Sequence, residues 1–300
     1  NMANMSSMAR PDRAAARAEF YAPEIAFDRP VPKVPAAAFR AERDRAFAAD
    51  AATVSIPCDL SEQLGSPWPA TTPTMLARYV VIRAGETLQH QHCSTGEVFY
   101  VMRGAGETVC RAESFAWKRG DAFCLPGGEP VEHLAMQDAI LLQVTNEPEL
   151  AYLRAAPGGA AIEPTLFPGE IAAQHLHNVH GRNSEQRAAG KSVVFLTAMM
   201  ASRRVTTPTL LSALNTLEPG GDQRPHRHSS VALTLSIQGE GVYSMVDGER
   251  IDWAPDTLFV TPPGAVHSHH NRGDKMMLSY VVQDTGLHSQ LRTTNFAWTE

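Results

Sequence analysis

The sequence lacks the features that mark membrane and nucleic acid-binding proteins. In 300 residues there is no run of about 18 or more apolar residues and no long Lys/Arg cluster, and the formal net charge is -6. The first residues show no basic and apolar signal segment. We therefore expect a cytoplasmic protein that binds neither membranes nor nucleic acid.

Sequence signatures of several other classes of protein are missing as well. The four cysteines form no Cys-x-x-Cys pair, which indicates reduced thiols rather than a disulfide framework. No Gly-x-Ser-x-Gly turn, phosphate-binding glycine loop or dinucleotide fingerprint occurs. With 43% hydrophobic residues, the chain can still bury the cores of two modest domains.

An internal repeat is the most informative feature that is present. Three segments recur at almost the same displacement, a little under half the length of the chain, which indicates duplication. The pairs are Thr71–Leu76 with Thr206–Leu211, Gly104–Gly106 with Gly239–Gly241, and Trp117–Pro126 with Trp253–Pro262.

Each half consists of short apolar runs between Gly and Pro turns, which predicts antiparallel strands in a sandwich or barrel. Helices are predicted only at Ala36–Asp50 and Glu170–His180. The predicted domains are an N-terminal arm over 1–56, a first barrel over 57–150, a Pro-rich linker over 151–191 and a second barrel over 192–300. The predicted strands are Leu76–Arg83, Val98–Arg103, Ala122–Leu125, Ile140–Thr145, Leu210–Leu217, Val231–Gln238, Thr257–Thr261 and Met276–Gln283.

The first half carries a pattern typical of a metal site. His90 and His92 are two residues apart, so on a strand they share a face. Glu97 follows after a tight turn, and His133 arrives from a third strand. Neutral imidazoles and one carboxylate suit Fe(II), Mn(II), Ni(II) or Zn(II), and leave positions open for substrate or dioxygen.

The second half repeats the histidines without the glutamate. His226, His228 and His267 could form a three-histidine site, whereas the counterpart of Glu97 is Ala232 or Leu233. The sequence leaves open whether this site is occupied or vestigial.

Strand alternation divides the residues around the sites. The residues predicted to face the second cavity are Ser230, Ala232, Thr234 and Ser236. Those predicted to face outward are Val231, Leu233, Leu235 and Ile237. Such an apolar outer face should pack on the other barrel or on another subunit, and we expect a homo-oligomer. In the first half Phe99 and Val101 should face inward, and candidate carboxylate partners are Arg78, Arg83 and Arg103.

These motifs resemble those of the cupin superfamily. Gly85 to Gly104 resembles its first motif, Pro262-x-Gly264-x-x-His267-x-x-x-Asn271 resembles its second, and the tandem copy resembles bicupins. The resemblance implies two all-β jelly-roll barrels (double-stranded β-helices). The stretches Pro67–Thr74 and Pro225–Glu249 are further similar to gentisate 1,2-dioxygenases and their salicylate-cleaving relatives.

That second resemblance implies a ferrous ion held by three histidines and the cleavage of a hydroxylated aromatic acid by dioxygen. The chain departs from the family in carrying Glu97, and in having Val98 and Thr234 where relatives often have an arginine. The sequence therefore predicts an Fe(II) dioxygenase in which Glu97 is a ligand or a base. The alternatives are a non-oxidative isomerase, lyase or decarboxylase, and a non-catalytic metal- or small-molecule-binding bicupin.

Overall fold

The computed structural model describes residues 12–26, 29–181 and 190–299. The chain divides into two compact units, Asn1–Val31 and Pro32–Glu300, and both sets of strands belong to the second unit. No helix in the described part of the chain has both the length and the apolarity needed to cross a membrane. The helices are α1 (Arg40–Phe47), α2 (Ser61–Leu64), α3 (Glu147–Leu153), α4 (Gly169–His180) and α5 (Thr285–Leu291), with short 3-10 turns at Ala15–Arg17 and Ala201–Arg203.

The first barrel is built from two antiparallel sheets. One has the strand order β1-β2-β9-β4-β7-β10, and the other has the order β3-β8-β5-β6. The strands are β1 (Val54–Pro57), β2 (Leu76–Ile82), β3 (Thr87–His90), β4 (Glu97–Arg103), β5 (Ala105–Cys110), β6 (Glu113–Lys118), β7 (Ala122–Leu125), β8 (Val131–Ala135), β9 (Ala139–Thr145) and β10 (Thr165–Phe167).

The second barrel repeats this order. Its sheets are β11-β12-β19-β14-β17 and β16-β15-β18-β13-β20, so the central strands correspond one to one with those of the first barrel. The predicted all-β tandem barrel fold is confirmed, and each of the eight predicted strands is present within one residue of its expected ends. The strands are β11 (Lys191–Phe195), β12 (Leu211–Leu217), β13 (His226–His228), β14 (Ala232–Gln238), β15 (Val242–Val246), β16 (Glu249–Asp252), β17 (Leu258–Thr261), β18 (His267–Asn271), β19 (Met277–Gln283) and β20 (Phe296–Trp298).

The N-terminal arm contributes less helix than predicted. Helix α1 covers only Arg40–Phe47 of the predicted range. The residues before it are extended because Ala38 bridges Phe259 at the edge of β17, and Val260 N donates a hydrogen bond to the carbonyl oxygen of Ala37. The linker helix α4 is confirmed, with one additional residue at its start. The domain limits stay a prediction; β10, from the linker, pairs with β7.

The two barrels share one apolar core. Val231, Leu233 and Leu235 are buried in a cluster that also contains Tyr79 and Leu142 from the first barrel. This face of β14 therefore packs on the other barrel, one of the two partners expected. Because it is already covered, it gives no support for a second subunit.

Candidate metal centres

The first histidine cluster lies where three strands meet. His90 ends β3, His92 follows it in the next turn, and Glu97 begins β4. One ligand atom from each of these residues lies within 4.8 Å of the others. The rings of His90 and His92 stack with their centroids 4.5 Å apart, and His90 Nδ1 is 3.8 Å from Glu97 Oε1. The turn thus brings the predicted residues together, although His92 lies beyond the end of the strand.

His133 approaches the same cluster from β8. Its Nε2 is 3.1 Å from Nε2 of His90, a spacing that suits two nitrogens bound to one ion. It does not belong to the compact set formed by His90, His92 and Glu97. Its Nδ1 instead contacts Thr108 Oγ1 at 2.7 Å.

Burial keeps these imidazoles neutral. Desolvation lowers the pKa of His90 to about 2 and that of His133 to about 3, and neighbouring histidines add to both effects. Desolvation also lowers the pKa of His92. Burial and then the charge of Glu147 raise the pKa of Glu97 to about 8. Neutral imidazoles offer lone pairs at ordinary pH, which is the state that metal ligation requires.

Two polar atoms in the first cluster have no protein partner. His90 Nδ1 and Glu97 Oε2 are buried and make no hydrogen bond within the described residues. Each unpaired buried group costs roughly 1–3 kcal/mol. A cation bound by Glu97 would pair Oε2 and also favour the ionised form of this carboxyl group. An imidazole binds an ion through one nitrogen only, and the nitrogen of His90 that faces His133 is Nε2. The donor set therefore fits a divalent metal.

A cavity of about 360 Å³ adjoins His90 and His92. Its wall combines apolar side chains with Arg78 and Gln143. Arg78 donates two hydrogen bonds to Glu147, at 2.6 and 3.2 Å, and Glu147 Oε1 lies 3.5 Å from His92 Nδ1. The apolar part of the wall consists of Pro57, Pro69, Leu76 and Leu88.

The three arginines predicted as candidate carboxylate partners lie in different parts of the first barrel. Arg78 lines the cavity, whereas Arg83 pairs with Asp138 at 3.4 Å and Arg103 lies over the ring of Phe47. Phe99 and Val101 are in the interior of the first barrel, as predicted from alternation. Phe99 contacts His133 edge-on, at 5.4 Å between centroids, so the histidine cluster has an apolar wall on this side.

The second cluster is more regular than the first. His226, His228 and His267 each present one nitrogen within 4.8 Å of the other two. Each Nδ1 also lies within hydrogen-bonding distance of a backbone carbonyl, those of Arg224, Ser230 and Ala265, at 2.8 to 2.9 Å. A carbonyl can only accept, so these contacts fix the proton on Nδ1 and leave Nε2 free for an ion.

Strand β20 covers the second cluster. It pairs with β13, so that Trp298 is opposite His226 and Phe296 is opposite His228. The ring of Phe296 stacks on His226 with centroids 5.2 Å apart, and Trp298 meets the same ring edge-on. Sequence reasoning missed this cover, because nothing local to the C-terminal residues indicates which strand they join.

Parts of the chain are similar in sequence to a known domain family and to known enzymes. Residues 213–283 match the cupin domain family. A gentisate 1,2-dioxygenase of Aquipseudomonas alcaligenes is 33% identical over 117 residues, which cover 38% of this chain and 33% of that protein. A 5-nitrosalicylic acid 1,2-dioxygenase of Bradyrhizobium is 34% identical over 86 residues, or 29% and 41% of the two chains. These matches thus span less than half the length of either relative.

Two solved structures extend the comparison to the whole fold. A variant of the salicylate 1,2-dioxygenase from Pseudoaminobacter salicylatoxidans superposes with a TM-score of 0.76 and 14% identity, covering 98% of this chain and 99% of that one. An oxalate decarboxylase of Bacillus subtilis gives a TM-score of 0.51 and 17% identity, with 77% and 72% coverage. At such identities these likenesses establish the fold alone.

Proposed function

We propose that this chain, a two-barrel member of the cupin superfamily similar to gentisate and salicylate dioxygenases, is a metal-dependent dioxygenase that cleaves the ring of a hydroxylated aromatic acid. The reaction is assigned to the first barrel. The carrying observation is the compact cluster of His90, His92 and Glu97, beside a cavity lined by Arg78.

The residues of the first barrel divide into ligands and a substrate pocket. His90, His92, Glu97 and His133 would hold Fe(II), with Mn, Ni or Zn as other ions that these donors accept. A bound ferrous ion would supply Lewis acidity and a template on which substrate oxygens and dioxygen meet. Glu97 is either a ligand or the base that takes the substrate hydroxyl proton.

Arg78 is the candidate partner for the substrate carboxylate. Its guanidinium already holds Glu147 through two hydrogen bonds, so its position at the cavity wall is fixed before substrate binds. The cavity also offers an aromatic ring an apolar surface, formed by Pro57, Pro69, Leu76 and Leu88. Together these features favour a single-ring acid over a larger or purely aliphatic substrate.

A second ion is proposed for the second barrel. His226, His228 and His267 have the tautomers and the spacing that ligation requires. Aromatic side chains of β20 lie over the rings, so this centre is assigned a structural role. The homo-oligomer and the cytoplasmic location stay predictions.

Oxygen uptake tests the proposed activity. Protein loaded anaerobically with Fe(II) should consume one dioxygen per molecule of gentisate, salicylate or another hydroxybenzoate cleaved, with loss of the aromatic absorbance. The control is Arg83→Met, which removes a surface arginine instead of the one at the cavity. Arg78→Met should raise KM for the acid well above that of the control.

Two other outcomes would replace the proposal. Turnover without dioxygen would favour a non-oxidative isomerase, lyase or decarboxylase, for which the likeness to an oxalate decarboxylase shows a compatible fold. Tight binding of a hydroxybenzoate without turnover of any kind would favour a binding or sensing bicupin.

A further inference from the structure

A buried chain of hydrogen bonds runs behind the first centre. Trp117 Nε1 donates to Thr108 Oγ1 at 2.8 Å, and the same oxygen lies 2.7 Å from His133 Nδ1. All three side chains are at most 2% exposed. The arrangement follows from strand register, because Thr108 on β5 is directly opposite His133 on β8.

The second barrel contains the same chain. Trp253 Nε1 donates to Ser244 Oγ at 2.8 Å, and Ser244 Oγ lies 2.7 Å from His269 Nδ1. Ser244 on β15 is again directly opposite the histidine, here on β18. Each of the three residues follows its first-barrel counterpart at one and the same displacement along the chain. The network was therefore duplicated with the fold, and a serine replaces the threonine without loss of either contact.

The contact with the Thr108 hydroxyl fixes the orientation of the His133 ring. An indole N–H can only donate, so Trp117 occupies one acceptor position of the Thr108 hydroxyl. A second acceptor position of the same oxygen can take the proton of His133 Nδ1, and in that tautomer Nε2 carries the lone pair that ligation requires. Nε2 is then the nitrogen left to face His90, at 3.1 Å.

The two copies have different neighbours. In the second barrel His267, two residues before His269, belongs to the compact histidine cluster, and His269 lies outside it. In the first barrel Val131, two residues before His133, occupies the position that corresponds to His267. The first barrel thus has no histidine at that position, and the ring held by the hydroxyl is the one that reaches His90.

We propose that Thr108 and Trp117 are positioning residues for the first metal centre, which they serve by holding Nε2 of His133 toward His90. The matching pair in the second barrel, Ser244 and Trp253, holds a histidine that the second centre does not use. This inference rests on the proposed first metal centre. It assigns to the duplicated network a role in metal binding in one barrel only.

Co²⁺ titration tests the inference, with the ligand-field absorption bands as readout. The titrations use the whole chain carrying His228→Ala, which leaves the first centre as the site observed. Thr108→Val keeps the shape of the side chain but removes the hydroxyl, and it should weaken Co²⁺ binding by about 10- to 100-fold. Thr108→Ser should restore binding to within about 3-fold of the parent, because Ser244 makes the corresponding contact with His269 in the second barrel. Ser244→Ala is the matched control and should leave the Co²⁺ affinity unchanged.

The outcomes separate this inference from the proposed function. If the His228→Ala parent binds no Co²⁺, the first metal centre itself is wrong. If the parent binds and Thr108→Val binds equally well, or if Thr108→Ser is as weak as Thr108→Val, the positioning role is wrong. Should Thr108→Val not fold, as judged by circular dichroism, Trp117→Phe must weaken binding by several-fold, and wild-type affinity would refute the role.

Discussion

The two barrels share strand order and a His-x-His pair, yet their clusters differ in how many polar atoms have a hydrogen-bond partner within the protein. In the second barrel every Nδ1 of the cluster lies at a backbone carbonyl, and aromatic rings cover the site. In the first, His90 Nδ1 and Glu97 Oε2 have no hydrogen-bond partner among the described residues, and a cavity opens beside them. The difference supports the proposal that the first barrel carries the reactive centre, since functional sites are where a protein leaves such groups unsatisfied.

Removal of one ligand from each barrel should have the largest effect. His92→Ala should lower the bound metal from two ions per chain to one and abolish oxygen uptake, because the first cluster loses a ligand beside the cavity. His228→Ala, the matched change, should also remove one ion but leave uptake within about 2-fold, as expected for independent sites. Elemental analysis and an oxygen electrode measure both effects. If His228→Ala abolished uptake and His92→Ala spared it, the roles of the two barrels would be reversed.

The sequence predicted the parts of this comparison that depend on local pattern. Histidines two residues apart, apolar runs and the displaced repeat were enough to find the eight central strands and both clusters. His269 could have been found too, because it is two residues from His267 and therefore on the same face of the strand. Its role as a copy of His133 emerges only when the two halves are aligned on Trp117 and Trp253.

Other parts depend on contacts that no local pattern encodes. Glu147 reaches His92 from the start of α3, after the whole central part of the first barrel has intervened, and no sequence motif joins the two residues. Strand β6 was missed because its residues are mostly exposed and lack an apolar run. The cover formed by β20 depends on long-range pairing with β13.

The contact between the barrels is also asymmetric, and Tyr79 provides the next test. Its hydroxyl, from β2 of the first barrel, donates to the carbonyl of Asp256 at 2.7 Å and accepts from Leu258 N at 2.9 Å in the second. Tyr79→Phe would leave both backbone groups buried and unpaired, so the free energy of unfolding should fall by roughly 1–3 kcal/mol.

Urea unfolding measures this change, and Tyr100→Phe is its control. Tyr100 lies in the same interface, where it stacks on Tyr280 at 5.1 Å, but its hydroxyl makes no hydrogen bond among the described residues. The control should change the free energy of unfolding by less than about 0.5 kcal/mol. Equal losses in the two variants would mean that ring packing, and not the hydrogen bonds across the interface, stabilises the pair of barrels.

The smallest expected effect concerns the cover over the second centre. Phe296 is 48% exposed while its other face stacks on His226, so Phe296→Ala should open a path to this centre without removing a ligand. A chelator such as EDTA should then remove the second ion several-fold faster, and the first centre of the same molecule serves as internal control. The strand pairing of β20 with β13 uses backbone atoms and should survive the change. If the release rates of both centres rose together, the substitution would have loosened the fold as a whole, and the closed character of the second centre could not be ascribed to its aromatic cover.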